Sequence, residues 1–198
     1  VASGSQKGYM IPPGLSFIAM SQKAWEAAEK SNLPKFYLNL KSYRKSLLSN
    51  SNPYTPAVNL VFALDESLKM MREEGLDNIF FRHNKHKLAM SNAVKALNLK
   101  LFADEKYLSP SITAVKTEGI DAEEFRKTIK NNFDILLAGG QDHMKGKIFR
   151  VGHLGYVNDR DIITVISAIS NTLLNLGKIT TQQAGEALVV ASRYLEET

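Results

Sequence analysis

A lysine followed at once by glycine, in the run Ser5-Gln6-Lys7-Gly8, is a candidate nucleophile. Small residues precede it, Val1-Ala2-Ser3-Gly4, and Ile11-Pro12-Pro13-Gly14 follows, so the spacing puts it on a stiff turn rather than on a solvated helix. A lysine in a partly desolvated site loses its proton readily, and the free amine condenses with an aldehyde, most commonly that of pyridoxal phosphate. Ser5 and Gln6 would add neutral donors for a phosphate. On these residues alone, a surface lysine in a turn is the better account.

Arg150 is the second group of interest. It interrupts the apolar run Ile148-Phe149-Arg150-Val151, just before Gly152. A guanidinium on such a strand needs a partner, because an isolated buried charge costs several kcal/mol, of order ~3–5. Its planar fork suits a carboxylate. That carboxylate could be a ligand's or an internal Asp or Glu, and the residues alone favour the internal one. Thr55, ahead of Pro56, reads as loop chemistry or a helix start. His83 and His86 have a spacing two metal ligands could use, yet no cysteine or paired acid completes a site, and packed or surface histidines are the better account. His153, in the turn after Arg150, is as much a turn residue as a pocket residue. Gly139-Gly140 with Gly146 lies between strands and lacks a helix start, so it reads as a flexible loop.

The elements that position these groups follow from periodicity. Leu15 to Met20 reads as a buried strand, so that Lys7 lies between two extended segments. Ser21 caps a helix to Lys30 with Ala24, Trp25 and Ala28 inward, Phe36 to Leu40 reads as extended, and Ser42 to Ser49 as a short basic turn or helix. Asn50 to Pro56 consists almost wholly of breakers. A helix from Ala57 carries Leu60, Val61, Leu64, Leu68 and Met71 on one face and stops at Gly75; a second, from about Asp77 to Leu97, faces inward through Ile79, His83, His86, Met90, Ala93 and Leu97. Strands are expected at Leu99–Phe102, Ile112–Lys116, Phe133–Leu137 and Ile148–Val151. Helices are expected after Asp121, after Asn158 or Asp159 up to Gly177, and after Thr180, where Gln183 completes a capping box. Strands alternating with helices indicate α/β or α+β layers.

Hydrophobic residues make up 44% of the 198, enough for a core. Cysteine is absent, which removes disulfides, thiolate metal sites and cysteine nucleophiles, and fits a cytoplasmic setting. The net charge of +5 is spread among acids, so a solvated surface explains it better than nucleic-acid binding. No apolar run is long enough to span a bilayer.

Gly4-Ser5-Gln6-Lys7-Gly8 with Pro12-Pro13-Gly14-Leu15-Ser16 resembles the cofactor-lysine segment of class V pyridoxal-phosphate aminotransferases. It is most similar to the alanine–glyoxylate and serine–glyoxylate (or pyruvate) branch. Tyr54-Thr55-Pro56 leading to Ala63–Leu68, and Gly146–Gly155, agree in order and spacing, and the resemblance runs over essentially the whole chain as the C-terminal half of such an enzyme. It implies fold type I, with residues 1–75 as the end of the large cofactor-binding domain and 76–198 as a smaller α+β domain. It implies transamination from a small amino acid, alanine or serine, to glyoxylate or pyruvate. Lys7 would be the catalytic, cofactor-bearing amine. Gln6 would help bind the phosphate, as would Thr55, reaching across the interface of a homodimer. Arg150 would hold the substrate carboxylate. The branch often has a tyrosine three places before this threonine; here Asn52 stands there, its amide a substitute, with Tyr54 adjacent. Further family cofactor groups precede the lysine, so the chain alone is expected to be inactive. Relatives labelled as a soluble hydrogenase subunit leave a second class open, a non-catalytic partner protein.

Overall fold

The short segments on either side of the Lys7 turn pair as a hairpin. In the computed structural model, which describes residues 1–196, β1 (Ala2–Gly4) runs antiparallel to β2 (Ser16–Ile18), with Ser3 opposite Phe17. The chain divides into two units, Val1–Glu73 and Glu74 onward, each described by itself. The expectation of a buried strand after Leu15 fails: Ile18 is 53% exposed, because a two-stranded ribbon lacks further layers to cover its faces.

The first unit continues with α1 (Gln22–Lys30), capped by the Ser21 hydroxyl on the Ala24 amide, with Ala24, Trp25 and Ala28 half-buried. Phe36–Leu40 is not extended. It is a turn in which Asn39 caps α2 (Leu40–Leu47), since its side chain satisfies the Lys41 amide at 3.1 Å. Its aromatic residues serve a side-chain cluster instead, with Tyr37 4.7 Å from Tyr54 between ring centroids. Then α3 (Val58–Glu74) follows the breaker loop. Leu60, Leu64 and Met71 are half-buried as expected, but Val61 and Leu68 are exposed and Ser67 is the one buried residue of the helix. The covered face is thus rotated toward Ala63, Ser67 and Met70.

In the second unit, Gly75 (φ 82°) supplies the left-handed backbone before α4 (Leu76–Ala96). A four-stranded antiparallel sheet has the order β3 (Lys100–Leu101), β4 (Ile112–Lys116), β6 (Ile148–Gly152), β5 (Ala138–Gly139). The strand expected at Phe133–Leu137 is displaced: Phe133 ends α5 (Ala122–Phe133), Asp134 closes it in the left-handed region at φ 55°, and pairing begins only at Ala138. Asp121 caps α5 through the Glu123 and Glu124 amides. Asn158 and Asp161 form a complete capping box for α6 (Asp159–Asn175), as do Thr180 and Gln183 for α7 (Thr181–Glu196). The core lies where α4, α6 and α7 meet the sheet, around Met90, Val94, Phe149, Ile166 and Ile169.

Candidate active site

The Lys7 loop is a closed structure rather than a slack connection. The Lys7 amide donates to the Gly4 carbonyl at 3.2 Å, and the Met10 amide to the Lys7 carbonyl at 3.0 Å. Met10 is held at φ 59°, a conformation few residues other than glycine adopt. The buried Ser5 hydroxyl donates to the Pro12 carbonyl at 2.7 Å and accepts from the Leu15 amide at 3.1 Å. That corrects the expectation that Ser5 adds a donor for a phosphate: its one proton is already spent on the loop. Gln6 is exposed, with its amide oxygen folded over Gly4, where an added Cβ would lie 2.6 Å from it.

The Lys7 side chain is exposed and takes no part in a hydrogen bond or ion pair among the described residues. Its anchored backbone and unengaged amine suit an aldehyde cofactor, and the exposed Gln6 amide beside it suits a phosphate oxygen. By this test the residues present fit pyridoxal phosphate. Thr55 lies in the separate breaker loop with its side chain exposed. Neighbouring Tyr54 is committed elsewhere, its hydroxyl donating to the Phe36 carbonyl at 3.2 Å; Asn52 is exposed.

In the second unit, Arg150 stands on β6 with Ala114 of β4 and Ala138 of β5 directly opposite. Its neighbours Phe149 and Val151 are buried in the core, so alternation along the strand turns Arg150 to the other face of the sheet. Alanines on both sides are too short to pair with it. The Arg150 Nε donates to the Gly139 carbonyl at 2.8 Å, which orients the guanidinium, and no carboxylate of the described residues bridges it. Its two terminal nitrogens keep the forked geometry a carboxylate requires. The loop that follows the β5 strand is held shut: Gly140 donates to the Ile148 carbonyl at 3.2 Å, and an added Cβ at Gly140 would strike the Met144 carbonyl at 2.0 Å.

A polar network missed by periodicity fixes the segment after Arg150. Arg82 grips Glu74 with two nitrogens, at 2.6 and 2.8 Å, and donates a third way to the carbonyls of Gly155 and Val157. The Arg82 hydrogen bonds hold the Glu74 carboxyl below its ordinary range. His83 Nδ1–H donates to the Ile79 carbonyl at 2.7 Å, leaving Nε2 to accept the Gly155 amide at 3.1 Å. His86 bonds Asp159 at 2.8 Å, and Lys85 bonds the same carboxylate at 3.0 Å. Burial pushes His86 below its usual pKa, against the pull of Asp159. Burial alone would raise Asp159, but the Lys85 and His86 hydrogen bonds outweigh it and hold the carboxyl low. His153 is buried between the Thr113 hydroxyl at 2.9 Å and the Pro110 carbonyl at 3.1 Å, so it supports the turn. Charged residues recurring on an otherwise inward helical face, Arg82, Lys85 and His86, were the signal available in the sequence.

The structure brings Gln6 and Lys7 onto one turn and keeps Thr55 on another loop, while Arg150 belongs to the second unit. No family model matches the chain. Among curated proteins, it is 57% identical over 89% of its length to the "Soluble hydrogenase 42 kDa subunit" of Anabaena cylindrica, covering 46% of that protein. It is 35% identical over 98% of its length to serine–glyoxylate aminotransferase of Methylorubrum extorquens, covering 50% of it. The crystal structure of ureidoglycine–glyoxylate aminotransferase from Bacillus subtilis matches 97% of the chain with a TM-score of 0.86 at 28% identity, over 51% of that structure. The chain therefore spans about half the length of the curated relatives it matches. By sequence and by its fold type I architecture, the chain is similar, over nearly its whole length, to about half of a class V pyridoxal-phosphate-dependent aminotransferase.

Proposed function

We propose that this chain carries the catalytic lysine and the carboxylate-binding arginine of an enzyme that moves an amino group from alanine or serine to glyoxylate or pyruvate. The observation that carries the reading is the Lys7 amine, unengaged among the described residues and exposed on a loop closed by the buried Ser5 hydroxyl. Likeness to serine–glyoxylate aminotransferase supports the substrate class. Because the matched relatives are about twice as long, the activity is assigned to a chain of their length, and this stretch alone is expected to be inactive.

Lys7 and Gln6 would hold the cofactor, with Thr55 of a second copy reaching its phosphate in a homodimer. When bound, pyridoxal phosphate supplies an aldehyde for amine exchange and an electron sink for the substrate α-carbon. Lys7 Nζ, once free of the cofactor, takes the α-proton as a base and returns it as an acid. Arg150 orients the substrate by clasping its carboxylate with the two terminal nitrogens.

Borohydride reduction in the presence of pyridoxal phosphate, followed by peptide mass mapping, tests the assignment. Covalent label is expected on Lys7 and absent in Lys7→Ala. Label on another lysine overturns it. A second reading, a non-catalytic partner subunit of a soluble hydrogenase, is favoured by the name of the Anabaena relative. Without cysteine, this sequence has no thiolate for a nickel or iron–sulfur centre, so such a role would be that of a partner protein. The same labelling experiment separates the two.

A further inference from the structure

We propose that Ser67 is a positioning residue for the Lys7 amine, an inference that rests on the reading of Lys7 given above. A 17-residue helix that buries a serine and exposes Val61, Phe62 and Leu68 is not organised by apolar burial alone. A buried hydroxyl requires a partner. The Ser67 Oγ donates to the carbonyl of Tyr9, two residues beyond Lys7 and 58 away in sequence from the serine. That carbonyl belongs to the peptide leading into Met10, the residue held at φ 59°. The hydrogen bond therefore fixes the peptide plane at the strained end of the Lys7 turn.

One helical face carries the rest of the contact. Leu60, seven residues before Ser67 and so on the same side of α3, fills the space above Gly14, where an added Cβ would lie 2.4 Å from its Cδ1. Ser5 closes the loop from within, through Pro12 and Leu15. Ser67 ties it from outside, to a rigid helix. The lysine side chain is long, flexible and unengaged, so the direction of its backbone is what aims the amine. A displacement of about 1 Å at a reacting group costs up to about a hundredfold in rate.

The test uses the protein with Ser67→Ala, Ser67→Thr and Ser67→Cys. Pyridoxal phosphate with cyanoborohydride is the probe, and the readout is the rate of labelling at Lys7 divided by that at the other lysines, alongside thermal unfolding. Ser67→Ala is expected to lower this ratio about tenfold or more. Ser67→Thr, which keeps the hydroxyl, should restore it, and Ser67→Cys, a weak donor of similar size, should fall between. An unchanged ratio in Ser67→Ala, even with a lowered melting temperature, overturns the proposal and leaves Ser67 a stabilising residue only. Should Ser67→Ala fail to fold, an unchanged ratio in Ser67→Cys overturns it equally. If the wild-type protein is labelled elsewhere than Lys7, the functional reading fails. Hydrogen exchange at the Lys7 and Met10 amides still tests the mechanical part: protection lost in Ser67→Ala and kept in Ser67→Thr supports it, and unchanged protection overturns it.

Discussion

His86 on α4 and Asp159 at the start of α6 are joined by a 2.8 Å hydrogen bond, with the histidine fully buried and the aspartate at the surface. The ring donates from Nε2, while its Nδ1 has no partner among the described residues. Among the described residues, Asp159 is thus the single polar outlet of a buried ring. It also receives Lys85, so it pins α4 to the segment that follows Arg150.

Removing that acceptor is expected to strand the buried Nε2–H. Asp159→Ala should destabilise the protein by about 1–3 kcal/mol. Asp159→Asn keeps an acceptor oxygen and should cost less than half of that. Urea unfolding at neutral pH checks both, and equal losses would show that charge rather than the hydrogen bond matters.

His153 predicts a pH dependence. Burial pushes its pKa from 6.5 to about 4, so the folded state keeps the ring neutral while the unfolded chain protonates near 6.5. Its contribution is therefore complete above about pH 6.5 and is lost as pH falls toward 4. Over that window the loss is about 3 kcal/mol. His86, also depressed, adds in the same direction. Denaturant titrations between pH 4 and 7 should show this slope, and His153→Asn should flatten it.

Arg150→Lys retains the charge but not the fork. In a chain of the relatives' length, affinity for both amino acid and oxo acid is expected to fall by about 1–3 kcal/mol, read as raised KM, with labelling of Lys7 intact. An unchanged KM for both substrates would remove Arg150 from the carboxylate site.

Thr55 is expected to act between copies. Light scattering should report a dimer, and Thr55→Ala should weaken pyridoxal phosphate binding by about 1 kcal/mol, the worth of one hydrogen bond. A monomer that binds the cofactor tightly would contradict this.

Helix starts were legible because their chemistry is local. Ser21, Asp121, Asn158 and Thr180 each satisfy amides two or three residues away, and the structure has a cap at each. The Lys7 turn was equally plain from Gly8, Pro12, Pro13 and Gly14. The extended reading of Phe36–Leu40 failed because aromatic content describes what a side chain can pack against, not whether a neighbouring strand exists.

The sequence by itself determined the capped helices, the stiff lysine turn and an arginine on an apolar strand, since each depends on residues within a few positions of one another. Tertiary structure alone decided which polar groups remained available. Ser5 was consumed by Pro12 and Leu15, Ser67 was committed to Tyr9, and Arg150 was left between Ala114 and Ala138 without a carboxylate among the described residues. A hydrogen-bond partner is chosen by approach in space, and a pattern of residue types along the chain does not encode that distance.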